Sequence, residues 1–157
     1  METIRVPMEE LAELLKLQLE QGGQAQLTVT GSSMLPMLRG QRDKVILIPG
    51  QAKKNDVALY RRDCGKYILH RIVGQKDDML VCAGDNQWET ELIRPDQVIA
   101  VVDSWYYKGK LKTKESFGYK LYVGFWVGLL PARRPVLAVR RFVGRLIRKI
   151  KRRKSHA

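Results

Sequence analysis

Cysteine is scarce in this chain of 157 residues: only Cys64 and Cys82 occur. That is too little for a disulfide scaffold, and the spacing does not suit a zinc module, so a reducing compartment is the plain reading, with one bridge left open. Histidine is as rare, with only His70 and His156. No set of three or four metal ligands can be assembled from them, so neither a metal nor a cofactor is expected. A long hydrophobic run is missing as well. The most apolar stretch, "YKLYVGFWVGLL", opens with Lys120 nearby and closes at Pro131, well short of the about 20 residues that a bilayer-spanning helix needs. The first residues, "METIRVPMEELAELLKLQLEQGG", are acidic and amphipathic, which fits neither a signal peptide nor a membrane anchor.

Acid is absent from residues 116–157. That segment holds 12 of the 29 Lys/Arg and none of the 16 Asp/Glu. The net charge of +13 therefore belongs to a tail, and the body before it is nearly neutral. The tail needs an anionic partner, and the body needs a separate account.

What is present reads in four parts. Residues 1–23 form an N-terminal amphipathic helix: Met8, Leu11, Leu15 and Leu19 fall on one stripe with Leu14 beside it, Glu9, Glu10 and Glu13 favour the first turns, and Gly22-Gly23 ends it. Residues 24–108 carry short strand-like segments, "QLTVT", "KVILI", "DVALY", "KYILHRIVG", "MLVCAG" and "QVIAVVDSWYY", separated by turn residues. Residues 109–118, "GKLKTKESFG", read as a basic polar linker, and 119–157 as an apolar and then Arg/Lys-rich tail. The expected fold class is mainly β (α+β): a compact antiparallel β-domain of short strands with an N-terminal amphipathic helix and a basic C-terminal helical tail.

Within the tail, Val136, Val139, Val143, Leu146 and Ile150 share one helical stripe flanked by Phe142 and Ile147. Arg140, Arg141, Arg145, Arg148 and Lys149 fall mostly opposite. A cationic helix with an aliphatic face suits an anionic membrane surface, which makes residues 119–157 the expected membrane contact. Nucleic-acid binders combine basic residues with polar or aromatic readers, and the aliphatic face argues against that partner. A solvated basic helix packed on the domain is the structural alternative. Arginine-rich flanks favour the cytoplasmic side, so the expected location is peripheral, at the cytoplasmic face of a membrane.

The chemistry rests on two stretches. "GSSMLPMLRGQRD" (31–43) puts Ser33 before Met34-x-Pro36, directly after a strand. A serine hydroxyl is a poor nucleophile unless a base takes its proton, and the one histidine inside the body is His70, in "KYILHRIVG". Alternation puts Ile68, His70 and Ile72 on one face and Tyr67, Leu69, Arg71 and Val73 on the other. A histidine between two isoleucines has a structural reading as well as a catalytic one. Met34 likewise reads as core beneath the loop, with Pro36 fixing the turn.

Taken in order, "GSSMLPMLRGQRD", "NDVALY", "KYILHRIVG" and "GDNQWETE" resemble the boxes of the signal peptidase I and LexA-type serine peptidase clan. The resemblance covers about residues 25–103. It implies that Ser33 of the Ser-Met-x-Pro box is the nucleophile. Asn55-Asp56-Val57 stands where the clan has Gly-Asp and apolar residues, and Gly84-Asp85-Asn86 matches its Gly-Asp-Asn element. Most bacterial members carry a lysine base. His70 followed by Arg71-Ile72-Val73 is similar to the endoplasmic-reticulum-type branch, which uses histidine.

The implied activity is serine-type endopeptidase cleavage of a peptide or protein substrate, signal-peptidase-like, through a Ser33/His70 dyad. The substrate adds as an extended strand beside residues 26–30 and 66–70. Gly31, Ser32, the Ser33 backbone and Met34 form the substrate and oxyanion region, and the Ser33 N–H is the natural oxyanion donor, worth about 3 kcal/mol in the transition state. Three departures stand out. Gly31 occupies the place where some relatives carry an oxyanion-binding hydroxyl. The histidine branch orients its base with an Asp, whereas Glu91 has the better spacing here, with Asp85 and Glu89 as the other candidates. The clan's membrane peptidases carry anchors that this sequence does not show. Two rival readings follow: a catalytically silent peptide-binding or regulatory relative, and a LexA-like self-cleaving regulator. Against the latter stand the histidine base and the lack of a helix-turn-helix.

Overall fold

The change of hydrophobic period at Gly22-Gly23 is where helix gives way to sheet. The computed structural model describes residues 8–129 and the single positions 132, 135, 136, 138, 139 and 143, with side chains described from Glu13 onward. Helix α1 spans Met8–Glu20 and ends as expected, with Gly22 in the left-handed region at φ +75° and the Gly23 N–H bonded to the Gln18 carbonyl. Leu15 and Leu19 are buried where α1 meets the first strand, whereas Leu14 and Leu17 face solvent. The side chains of Met8 and Leu11, expected on the same stripe, lie outside the described residues.

Eight strands follow: β1 (Ala25–Thr28), β2 (Lys44–Ile48), β3 (Val57–Arg61), β4 (Tyr67–Lys76), β5 (Met79–Ala83), β6 (Glu91–Ile93), β7 (Val98–Tyr107) and β8 (Lys110–Thr113). They form one antiparallel sheet in the order β1-β2-β7-β3-β4-β5-β6, with β8 on β7. Val101 pairs with both Ile48 and Ala58, and Trp105 with both Val45 and Lys112. So β2 runs along one side of β7, while β3 and then β8 share the other. The sheet is mainly antiparallel, compact and not closed.

Both faces of its centre are covered, which explains why "VALY" and "KVILI" read as continuous apolar runs. Period two distributes β3 between two cores. Val57 and Leu59 join Leu15, Leu27, Met34, Leu47 and Trp105, whereas Ala58 and Tyr60 join Ile72, Cys82 and Ile93.

Residues 109–118, expected as a linker, contain β8 and the start of α2, Phe117–Gly128. Strand β8 is exposed at all four positions, and its lysines mark a sheet edge that another chain cannot readily extend. Strand β6 was also not expected. Its "ELI" is too short to give a period. Helix α2 starts at the cap Ser116, whose hydroxyl accepts from the Tyr119 N–H. Cys64 is exposed and Cys82 buried, both as free thiols, so the bridge left open from sequence is not formed. The basic stripe beyond residue 130 lies outside the described residues, as does His156, except that Val136, Val139 and Val143 are exposed.

Candidate active site

The loop carrying Ser33 is held from two sides by close backbone contact. Gly31 sits at φ +74°, a conformation that glycine adopts freely. Gly40 closes the loop against it, since a Cβ there would clash with the Gly31 carbonyl oxygen. Met34 is buried in the first core, while Ser33 stays half-buried at the surface. From the other side, the Asn86 N–H donates to the Ser33 carbonyl at 2.7 Å and the Asn86 side-chain amide to the Ser32 carbonyl at 3.2 Å. A Cβ on Gly84 would lie 2.7 Å from that same Ser33 oxygen, so glycine is what allows the approach. The Gly84-Asp85-Asn86 triplet thus braces the backbone of the Ser33 loop.

Strand pairing also leaves two edges free. β1 has β2 on one side only. Residues 67–71 of β4 pair with β3, but β5 takes up the other side of β4 only from Arg71 onward. The open side of Tyr67–His70 and the end of β1 flank a cavity of about 160 Å³ lined by Leu27, Val29, Ser33, Met34, Leu59, Leu69 and His70, among others. These are the two segments expected to receive an extended peptide, and Ser33 and His70 both line the space between them.

His70 is buried. Its surroundings follow from register, since direct cross-strand partners share a face. Ile68 pairs with Tyr60, Ile72 with Cys82, and Cys82 with Glu91. His70, Tyr60 and Glu91 therefore project to one side of the sheet. The His70 Nδ1 lies 3.3 Å from Glu91 Oε1 and 3.2 Å from the Tyr60 hydroxyl, which itself donates to Glu91 Oε1 at 2.5 Å. Because that hydroxyl gives its proton to the carboxylate, its oxygen and Glu91 are both acceptors for an Nδ1 proton. That arrangement assigns the proton to Nδ1 and leaves Nε2 with its lone pair. Arg62 closes the cluster through Nε to Oε2 at 2.7 Å and Nη2 to Oε1 at 2.8 Å.

The electrostatics follow from this packing. Burial pushes the His70 pKa below its ordinary value, and Glu91 counteracts this only partly. Burial alone would raise the Glu91 carboxyl, but the bonds from Arg62 and Tyr60 outweigh it and hold the group below the usual range. Burial and the Glu91 charge both push the Tyr60 hydroxyl up, keeping it a donor. At neutral pH the cluster is a neutral imidazole beside an ionised carboxylate, the charge state that a general base requires.

Of the three acids considered from sequence, Glu91 is the one found at the histidine. Glu89 is exposed. Asp85 is fully buried, and both of its oxygens bond Arg71, at 2.8 Å from Nε and 2.7 Å from Nη2. Arg71 also donates to the Asn55 carbonyl and contacts the Tyr119 hydroxyl. Asn55 sits at φ +79°. Asparagine tolerates that region better than most residues do, which explains how it can stand where the resemblance leads one to expect glycine. Sequence reasoning missed Tyr60 and Arg62. The available signal was an aromatic hydroxyl in a short apolar strand and a basic pair just beyond it, and neither points to a histidine until register is known.

Among the described residues, no group of three or more His, Cys, Asp or Glu side chains is placed to hold a metal ion. No helix among them is long and apolar enough to cross a membrane. Comparison with known proteins finds no matching family model, no matching curated protein and no matching solved structure.

Proposed function

We propose that this chain is a serine-type endopeptidase, signal-peptidase-like, in which Ser33 is the nucleophile, His70 the general base and Glu91 the acid that orients it. One observation carries the reading. Ser33 and His70 line a single cavity between two unpaired strand edges, and the imidazole turns Nδ1 toward Glu91. A peptide entering as an extended strand pairs with those edges. His70 Nε2 takes the Ser33 Oγ proton as Oγ bonds to the scissile carbonyl carbon, and the imidazolium returns the proton to the departing amine as the C–N bond breaks. Water, deprotonated by the same Nε2, then hydrolyses the ester and restores Ser33. The Ser33 N–H serves the oxyanion, with Gly31 contributing no side chain. The arginine-rich tail makes the enzyme peripheral at the cytoplasmic face of a membrane.

A second reading is favoured by the Arg62 ion pair, which shares the Glu91 charge and weakens its support of an imidazolium. In that reading the cleft binds peptide without cutting it. Incubating wild type, Ser33→Ala and His70→Ala with a peptide library and reading the products by mass spectrometry separates the two. The peptidase reading expects defined cleavage by wild type alone. Cleavage that survives in Ser33→Ala rejects it, and binding of a peptide by wild type without cleavage establishes the silent module.

A further inference from the structure

Helix α2 has two apolar faces, and only one is accounted for by the domain. Inward, Tyr119 packs on Trp105 with ring centroids 4.9 Å apart, the Tyr122 hydroxyl donates to Asp85 Oδ2 at 3.0 Å, Val123 is buried, and the Trp126 indole donates to the Asp85 carbonyl at 2.7 Å. These contacts fix the rotation of the helix about its axis. The opposite face is therefore not a matter of chance. It presents Phe117, Leu121 and Phe125, at i, i+4 and i+8, which are 81%, 62% and 67% exposed. Val136, Val139 and Val143 are exposed beyond it. Large apolar side chains gathered on one exposed helix face usually mark a binding surface.

We propose that the Phe117–Leu121–Phe125 face of α2 is the element that inserts into an anionic lipid surface. Charge selects the occupant. Residues 116–157 carry 12 Lys/Arg and no Asp or Glu, so two copies meeting through this face would bring like charges together, whereas an anionic bilayer supplies counter-charge and an apolar interior side by side. Phenylalanine can stack on bases, but Leu121 and the three valines have no such role, which favours lipid over nucleic acid. The helix is too short to span, so it lies in the interface plane. Because its inner face holds Asp85, in the triplet that braces Ser33, insertion keeps the Ser33 loop close to the lipid surface. The inference rests on the reading of membrane association given above and names the part of the chain that enters the bilayer.

The test is co-sedimentation of the full-length chain with phosphatidylglycerol/phosphatidylcholine vesicles and with pure phosphatidylcholine vesicles. Wild type is expected to bind the anionic vesicles preferentially. Replacing Phe117, Leu121 and Phe125 together by serine is expected to weaken that binding roughly tenfold or more, with an unchanged circular dichroism spectrum, since all three side chains are exposed. Phe117→Leu with Phe125→Leu, which keeps apolar area, is expected to retain it. Unchanged vesicle binding by the triple serine variant overturns the inference and leaves attraction by the basic tail standing. Absence of binding by wild type overturns both. Loss of a dimer, or of single-stranded RNA binding, in the triple variant while vesicle binding persists assigns the face to that other partner and likewise overturns the inference.

Discussion

His70 and Arg71 are neighbours on β4, and each meets a carboxylate, yet the two sites differ in kind. Arg71 and Asp85 have fully buried side chains, at 0% exposure each. Every direction around them is filled: Asn55, Met37 and Tyr119 around the guanidinium, Tyr122 on the carboxylate, Trp126 on the Asp85 backbone. The carboxylate at the histidine is 26% exposed and carries three claimants, Arg62, Tyr60 and His70. A saturated pair can hold a fold but has no free valence for chemistry. A shared oxygen beside a neutral imidazole that borders a cavity has one. One strand thus supplies a rivet on one face and a candidate base on the other.

The sharpest way to break this contrast is to remove one partner of the rivet. Asp85→Asn leaves Arg71 charged and unpaired in the interior and is expected to cost about 3–5 kcal/mol in urea unfolding, while Arg71→Met combined with Asp85→Leu recovers much of it. If Glu91→Gln costs as much stability as Asp85→Asn, the two sites are of one kind and the contrast fails.

The next effect concerns turnover. With the proposed peptidase activity in hand, Glu91→Gln is expected to lower kcat by about 100-fold or more, since the imidazole loses the negative charge that supports its cation in the transition state. A stability loss of only about 1–2 kcal/mol should accompany it.

Acid should act on the His70 site first. The folded-state pKa of His70 lies below the ordinary 6.5, so the folded state takes up this proton at lower pH than the unfolded chain does. Stability is then lost as pH falls from about 6.5 through the folded value, and the acid limb of a pH–rate profile should have its midpoint below 6.5. Histidine side-chain NMR should show the His70 pKa moving up in Arg62→Gln, where Glu91 no longer shares its charge with a cation, and further down in Glu91→Gln. Identical titrations in all three proteins would mean that Glu91 does not act on the ring.

The smallest effect is expected at Tyr60. Tyr60→Phe removes one hydroxyl that touches both Glu91 and His70. It should cost about 1 kcal/mol of stability and shift the His70 titration by less than either charge change does.

Much of this arrangement was legible in the chain itself. "KVILI", "MLVCAG" and the ten-residue β4 and β7 announced themselves by apolar content and turn residues, because strands covered on both faces read as apolar runs bounded by turns. The end of α1 was legible too, since Gly22 meets a backbone need that is local. The short strands β6 and β8 were not: the three residues of β6 hold less than two periods, and the four of β8 are all exposed, so neither carries a burial pattern and each becomes a strand only where a neighbour offers its edge. Tyr60 and Arg62 stayed hidden for a different reason: "DVALY" read as a strand, but its cross-strand register did not. Spacing favoured Glu91 over Asp85 and Glu89, and only the fold brings it to the histidine.

What the sequence determined by itself was composition and local geometry: a neutral body and a basic tail, a helix and then strands, a serine on a turn and a histidine on a strand. Which acid meets the histidine, which pair is sealed inside, and which side of α2 is left to the solvent were decided only in the folded molecule. Those outcomes depend on cross-strand register and on distances between residues far apart in the chain, and no local periodicity encodes them.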